Sequence, residues 1–125
     1  KRRFKNMMEL GWYQASYAGD IKVAAFPAIH QSRRGLFNAN PSLWAAFLFG
    51  HHGFKVYFGG DSAMGPVFAQ TSHKYGPIDL TLSGNGAYAP QELLRSVHAS
   101  PEKAVEMGKA IKSKSLRGMH WGMIE

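Results

Sequence analysis

Three side chains able to ligate a metal ion each close an apolar stretch. His30 follows Val23-Ala24-Ala25-Phe26-Pro27-Ala28-Ile29, Asp61 follows Val56-Tyr57-Phe58-Gly59-Gly60, and His120 follows Leu116-Arg117-Gly118-Met119. Neutral imidazole nitrogen and ionised carboxylate are ligands for Zn²⁺, and a carboxylate has two oxygens with which to bridge two ions. Two cations sharing a carboxylate lower the pKa of a trapped water and stabilise negative charge developing on a phosphoryl or acyl oxygen. The spacing alone is a weak signal, because a capping Asp after a strand and a hydrogen-bonded His beside Trp121 are common structural residues. The sequence has no cysteine, so any metal must be held by His and carboxylate, and disulfides and Cys-based zinc sites are excluded.

The elements that would position these residues follow from pattern. Trp12 to Tyr17 and Ile21 to Ile29 read as a hairpin turning at Ala18-Gly19-Asp20, preceded over Arg2 to Leu10 by the end of a helix. Pro27 lacks an N–H and points to an edge position or a local irregularity just before His30. Gln31 to Pro41 reads as a loop. Leu43 to Phe49 and Phe54 to Phe58 read as strands about the turn His51-His52-Gly53, and Gly65 to Tyr75 as a helix ended by Gly76-Pro77. Ile78 to Leu82 is a further strand, and a Gly-rich loop follows it from Ser83 to Pro90. Ser100 then fits the N-cap and Pro101 the first turn of a helix whose apolar stripe is Ala104, Val105, Gly108 and Ile111. Leu116 to Trp121 is the last strand. Strands separated by helices imply an α/β sheet, with sites on the loops at one edge.

Composition bounds the class. The 125 residues are 45% hydrophobic and 18% charged, a globular balance that suits one domain or part of one, with no internal repeat. No apolar run approaches the roughly 20 residues needed to cross a bilayer, and no signal peptide is evident, so a cytoplasmic or membrane-peripheral protein is expected. The formal net charge of +7 favours anionic partners, although a solvated basic surface accounts for it as well.

Several blocks resemble, in order, the C-terminal half of N-acylphosphatidylethanolamine-hydrolysing phospholipase D and its bacterial relatives. They are Pro27-Ala28-Ile29-His30-Gln31-Ser32-Arg33-Arg34-Gly35-Leu36, Leu43-Trp44, Phe58-Gly59-Gly60-Asp61-Ser62, Gly76-Pro77-Ile78-Asp79-Leu80, Gly86-Ala87-Tyr88, His98-Ala99-Ser100-Pro101-Glu102-Lys103-Ala104-Val105 and His120-Trp121-Gly122. The resemblance implies the metallo-β-lactamase fold, an αβ/βα four-layer sandwich with a mixed sheet and flanking helices. Residues 1–125 would form a single partial domain, its C-terminal half. It also implies two Zn²⁺ ions in the full-length site: His30 resembles the histidine completing the first ion's set, Asp61 the bridging and catalytic aspartate, and His120 the histidine on the second ion. The family's His-x-His-x-Asp-His cluster has no counterpart in the sequence and is expected before Lys1.

The implied activity is hydrolysis of a phosphodiester, such as an N-acyl phospholipid, by a metal-bound hydroxide. Arg34, Tyr88 and His98 match family positions and are candidates for substrate binding. An Arg can grip phosphate in bidentate fashion, and His98 precedes a positively polarised helix end. The expected partner is a small-molecule or lipid phosphodiester, with peripheral membrane contact and no nucleic acid. Gln31, Ala89 and Ser62-Ala63-Met64 depart from the family pattern on the expected rim, which leaves a lactonase or other esterase as an alternative. A non-catalytic basic module for nucleic acid or anionic membrane is the rival outside the enzyme class. His51, His52 and His73 receive no role. Trp12, Trp44, Phe47, Phe49 and Phe58 read as core, and Phe37 as a side chain for lipid insertion.

Overall fold

The computed structural model describes residues 7–32, 42–87 and 89–122. Strands β1 (Ala15–Ala18) and β2 (Ile21–Pro27) form a hairpin turning at Gly19-Asp20, and β3 (Ala45–His51) and β4 (Phe54–Phe58) form a second. The second turn has His52 and Gly53 both left-handed, at φ 46° and 83°, the conformation whose twist suits a two-residue hairpin. Helix α1 (Val67–Tyr75), strand β5 (Ile78–Gly84), helices α2 (Gln91–Leu94) and α3 (Pro101–Ala110), and strand β6 (Ser113–Met119) complete the chain.

The strands form one six-stranded sheet in sequential order. Pairs from β1 to β4 are antiparallel, and β4, β5 and β6 run parallel. A parallel pair needs a crossover, supplied here by α1 and then by α2 with α3. Two reversals make β2 run with β4, so the C-terminal ends of β2, β4, β5 and β6 share one edge of the sheet.

Strand alternation divides the side chains between two faces. The row Ala24, Leu48, Tyr57, Thr81 and Leu116 crosses the sheet on one face. Ala24, Leu48 and Tyr57 join a core with Phe26, Ile78, Phe68 of α1, and Ala104, Met107 and Ile111 of the α3 segment. The other face carries two apolar rows: Val23, Phe49, Val56 and Leu80, then Ala25, Phe47, Phe58 and Leu82. Apart from the buried Ala25 these side chains are half-buried or exposed, Phe58 reaching 37%.

The structure redraws some expected details. Pro27 lies on an interior strand, but β1 pairs only as far as Ala24, so the missing N–H leaves no ladder bond unmade. Met107 takes the place expected of Val105 in the α3 stripe, and Val105 is 46% exposed. Ser100 does cap that helix, accepting from the Lys103 N–H at 3.4 Å. Residues 7–10 form no helix. Of the aromatics expected in the core, Phe47, Phe49 and Phe58 lie on the second face, because register assigns them the parity opposite to Tyr57. Trp44 packs against the core edge and Trp12 is part-exposed. Phe37 lies outside the described residues. Among the described residues, no helix is long and apolar enough to cross a membrane.

Candidate metal centre

The strand ends gather four of the six candidate residues at one point. His30 follows β2, Asp61 follows β4 and His120 follows β6, while His98 comes from the crossover before α3. His120 Nε2 lies 3.2 Å and His30 Nε2 3.9 Å from Asp61 Oδ2, and His98 Nδ1 lies 3.5 Å from Asp61 Oδ1. The His98 ring stands 5.3 Å from that of His30 and 5.7 Å from that of His120, centroid to centroid. Donor atoms of His30, Asp61 and His98 all fall within 4.8 Å of one another. Arg34 and Tyr88 lie outside the described residues.

The loops are locked by backbone bonds. The Ile29 N–H donates to Ser62 Oγ at 2.9 Å and the Ala63 N–H returns to the Ile29 carbonyl at 2.9 Å, so the His30 and Asp61 segments move together. The Asn85 N–H donates to the Met119 carbonyl at 3.0 Å, tying the loop after β5 to the approach of His120. Two glycines permit this crowding. A Cβ on Gly84 would lie 3.3 Å from Asp61 Oδ1, and one on Gly86 would lie 1.5 Å from the His120 carbonyl oxygen, which nothing short of moving the backbone accommodates. His120 itself is left-handed at φ 62°, a strained conformation for a non-glycine residue.

The polar atoms suit a cation. His30 Nδ1 is 2.8 Å from the Gln31 carbonyl, which only accepts, so Nδ1 carries a proton and Nε2 is the nitrogen left to ligate. That Nε2 is buried, has no hydrogen-bond partner, and faces a carboxylate oxygen that also only accepts. His98 Nδ1 likewise lacks a hydrogen-bond partner. Metal–ligand bonds of about 2.0–2.2 Å set two ligands of one tetrahedral ion a little over 3 Å apart, close to the observed separations. Burial holds the His98 pKa below the usual histidine value against the opposing charge of Asp61, with His30 and His120 lowering it further. The uncharged form is the one that offers a lone pair.

Pattern reading passed over Gly84 and Asn85 as parts of the site, and placed Ser62 on its rim without the bond to the Ile29 N–H. A hydroxyl directly after a candidate ligand was the signal for Ser62. The roles of Gly84 and Asn85 depend on contacts between separate loops.

Residues 2–121 match the beta-lactamase superfamily domain, and the chain belongs to that family. Its fold is the metallo-β-lactamase fold, whose members bind metal ions. The sequence is 34% identical over 119 residues to N-acyl-phosphatidylethanolamine-hydrolyzing phospholipase D 1 of Caenorhabditis elegans, covering 91% of this chain and 33% of that protein. The chain thus spans about a third of that relative's length. The structure is similar to the metallo-beta-lactamase fold protein YhfI of Bacillus subtilis, with TM-score 0.68 and 20% identity over 90% of this chain and 41% of that one. It is also similar to CmlA, a diiron beta-hydroxylase from Streptomyces venezuelae, with TM-score 0.66 and 18% identity over 93% and 25% of the two chains.

Proposed function

We propose that this chain supplies the C-terminal half of a two-metal hydrolase centre acting on a phosphodiester such as an N-acyl phospholipid. In this reading His30 holds the first Zn²⁺, Asp61 bridges, and His120 holds the second. The observation that carries it is the buried, unpartnered Nε2 of His30 facing the Asp61 carboxylate, which His98 and His120 approach from other sides. The likeness to the Caenorhabditis elegans phospholipase supports the substrate class.

Bound ions would supply a water of lowered pKa and positive charge for the phosphoryl oxygens. The protein's own contribution is placement. Asp61 would be shared between the ions, the Gln31 carbonyl holds the proton on His30 Nδ1, and uncharged His98 beside the carboxylate is positioned to contact a substrate oxygen. Arg34 and Tyr88 are assigned to the phosphate and the rim on the family pattern alone.

The remaining ligands and half of the sandwich are assigned to sequence outside this chain. The apolar rows from Val23 to Leu80 and from Ala25 to Leu82 support that, since a second sheet packed there would remove them from water.

The test uses the full-length protein with N-acylphosphatidylethanolamine vesicles, phosphatidic acid release being measured beside lactone hydrolysis. The expected result is release that His30→Ala and Asp61→Asn each reduce to background while circular dichroism is unchanged. Unchanged turnover in either variant contradicts the ligand assignment, and lactone hydrolysis without phosphatidic acid release contradicts the substrate.

A further inference from the structure

A second group of metal-competent side chains lies at the opposite edge of the sheet, where the two hairpins turn. Asp20 belongs to the β1–β2 turn, and His51 and His52 close β3 and open the β3–β4 turn. The register that sets Lys22 opposite Gly50 brings the turns side by side. His51 Nε2 lies 2.7 Å from Asp20 Oδ2, and the two imidazole rings meet edge to face with centroids 4.1 Å apart. Donor atoms from all three residues lie within 4.8 Å of one another. Among the described residues, this trio and the central one are the two groups with that property.

The turn chemistry sharpens the observation. The first left-handed position of such a hairpin turn favours Asn, Asp or Gly, and here it holds His52 at φ 46°. A β-turn has no need of an imidazole at that place, and the conformation swings the ring of His52 against that of His51. Of the neighbouring lysines, Lys55 is engaged elsewhere, its Nζ donating to the Tyr75 carbonyl at 2.8 Å.

The geometry points to a peripheral site for a borderline divalent cation, Zn²⁺ or its near neighbours Ni²⁺ and Cu²⁺, held by Asp20, His51 and His52. Two imidazoles and one carboxylate make a ligand set for these ions, with a further position left for water. The proton on His51 Nε2 that Asp20 accepts in the metal-free chain passes to solvent as the cation takes its place. The exposure of the group, with Asp20 and His51 side chains 75% and 45% accessible, makes the ion exchangeable. Its effect is to cross-link two hairpin turns whose side chains otherwise meet in the exposed hydrogen bond between His51 and Asp20. The site stands apart from the central cluster and does not depend on the function assigned there.

The experiment is a Zn²⁺ titration of the full-length protein by chelator competition, together with His52→Asn and Asp20→Asn. Asn suits the left-handed turn position, so His52→Asn removes the ligand while keeping the hairpin. The expected result is one more Zn²⁺ equivalent in the wild type than in His52→Asn, or a weakening of that equivalent by about tenfold or more, since even outer partners of metal ligands are worth that much. Asp20→Asn weakens the same equivalent, and zinc raises the melting temperature of the wild type more than that of either variant. Equal zinc number and affinity in wild type and His52→Asn, or a change well below tenfold, would overturn the site and leave a hydrogen bond between turns. Substitution of His30 leaves this equivalent in place, which separates its fate from that of the central cluster.

Discussion

His30 shows how much one backbone contact decides. The Gln31 carbonyl at 2.8 Å accepts from Nδ1 and leaves Nε2, turned toward the Asp61 carboxylate, as the nitrogen able to ligate. Ser62 plays a comparable part from the other side, since its Oγ accepts from the Ile29 N–H next to His30. Ser62→Ala strands that part-buried N–H, at a cost of about 1–3 kcal/mol of stability. It also loosens the His30 position, and a loss of metal affinity of about 10–100-fold is expected. Urea unfolding and a zinc titration of the variant check both effects; wild-type values in each would show that the clamp is dispensable. That His30, Asp61 and His120 come together was legible chiefly from the family resemblance, the ligand types at the ends of apolar runs being a weak signal alone. The place of His98 beside Asp61 was less legible, because it comes from a crossover loop whose course is set by where α3 lands on the sheet.

Among the elements, the hairpins and the capped helix α3 were readable from apolar runs, Gly-containing turns and the Ser100-Pro101 pair. Their edges were not. Ser113 and Lys114 lack apolar character but pair in β6 because the parallel register beside Ile78 extends that far. The same end of the sheet has its own fastening, in which Asp79 accepts from the Lys55 N–H at 2.8 Å and from Lys114 Nζ at 2.7 Å, joining β4, β5 and β6. Chiefly the Lys114 hydrogen bond, then the Lys55 N–H, holds the Asp79 pKa below its ordinary 3.8. A carboxylate with a depressed folded pKa contributes stability that is present above its unfolded pKa and lost as pH falls through the folded value. Asp79→Asn is therefore less stable than the wild type at neutral pH, and the gap closes as the solution is taken below about pH 4. Chemical denaturation of both proteins across that range measures it, and a gap independent of pH would contradict the charge-assisted role.

At the scale of the molecule, one face of the sheet is sealed by α1 and α3, and the other carries apolar rows that the described residues cover only in part. The continuous apolar runs Leu43 to Phe49 and Phe54 to Phe58 read as strands buried on both sides without saying what supplies the second side, and so Phe47, Phe49 and Phe58 read as core. Register settles the face they occupy. It places them together where a further layer of the same fold would pack. Strand direction has the larger functional consequence: β2, β4, β5 and β6 deliver their C-terminal ends, and with them His30, Asp61 and His120, to one edge. The central claim is that this edge holds two ions sharing Asp61. Anomalous diffraction from zinc-loaded crystals of the full-length protein tests it directly. The prediction is two peaks flanking the Asp61 carboxylate, one within bonding distance of His30 Nε2 and the other of His120 Nε2; a single peak, or peaks that either histidine does not reach, would contradict it.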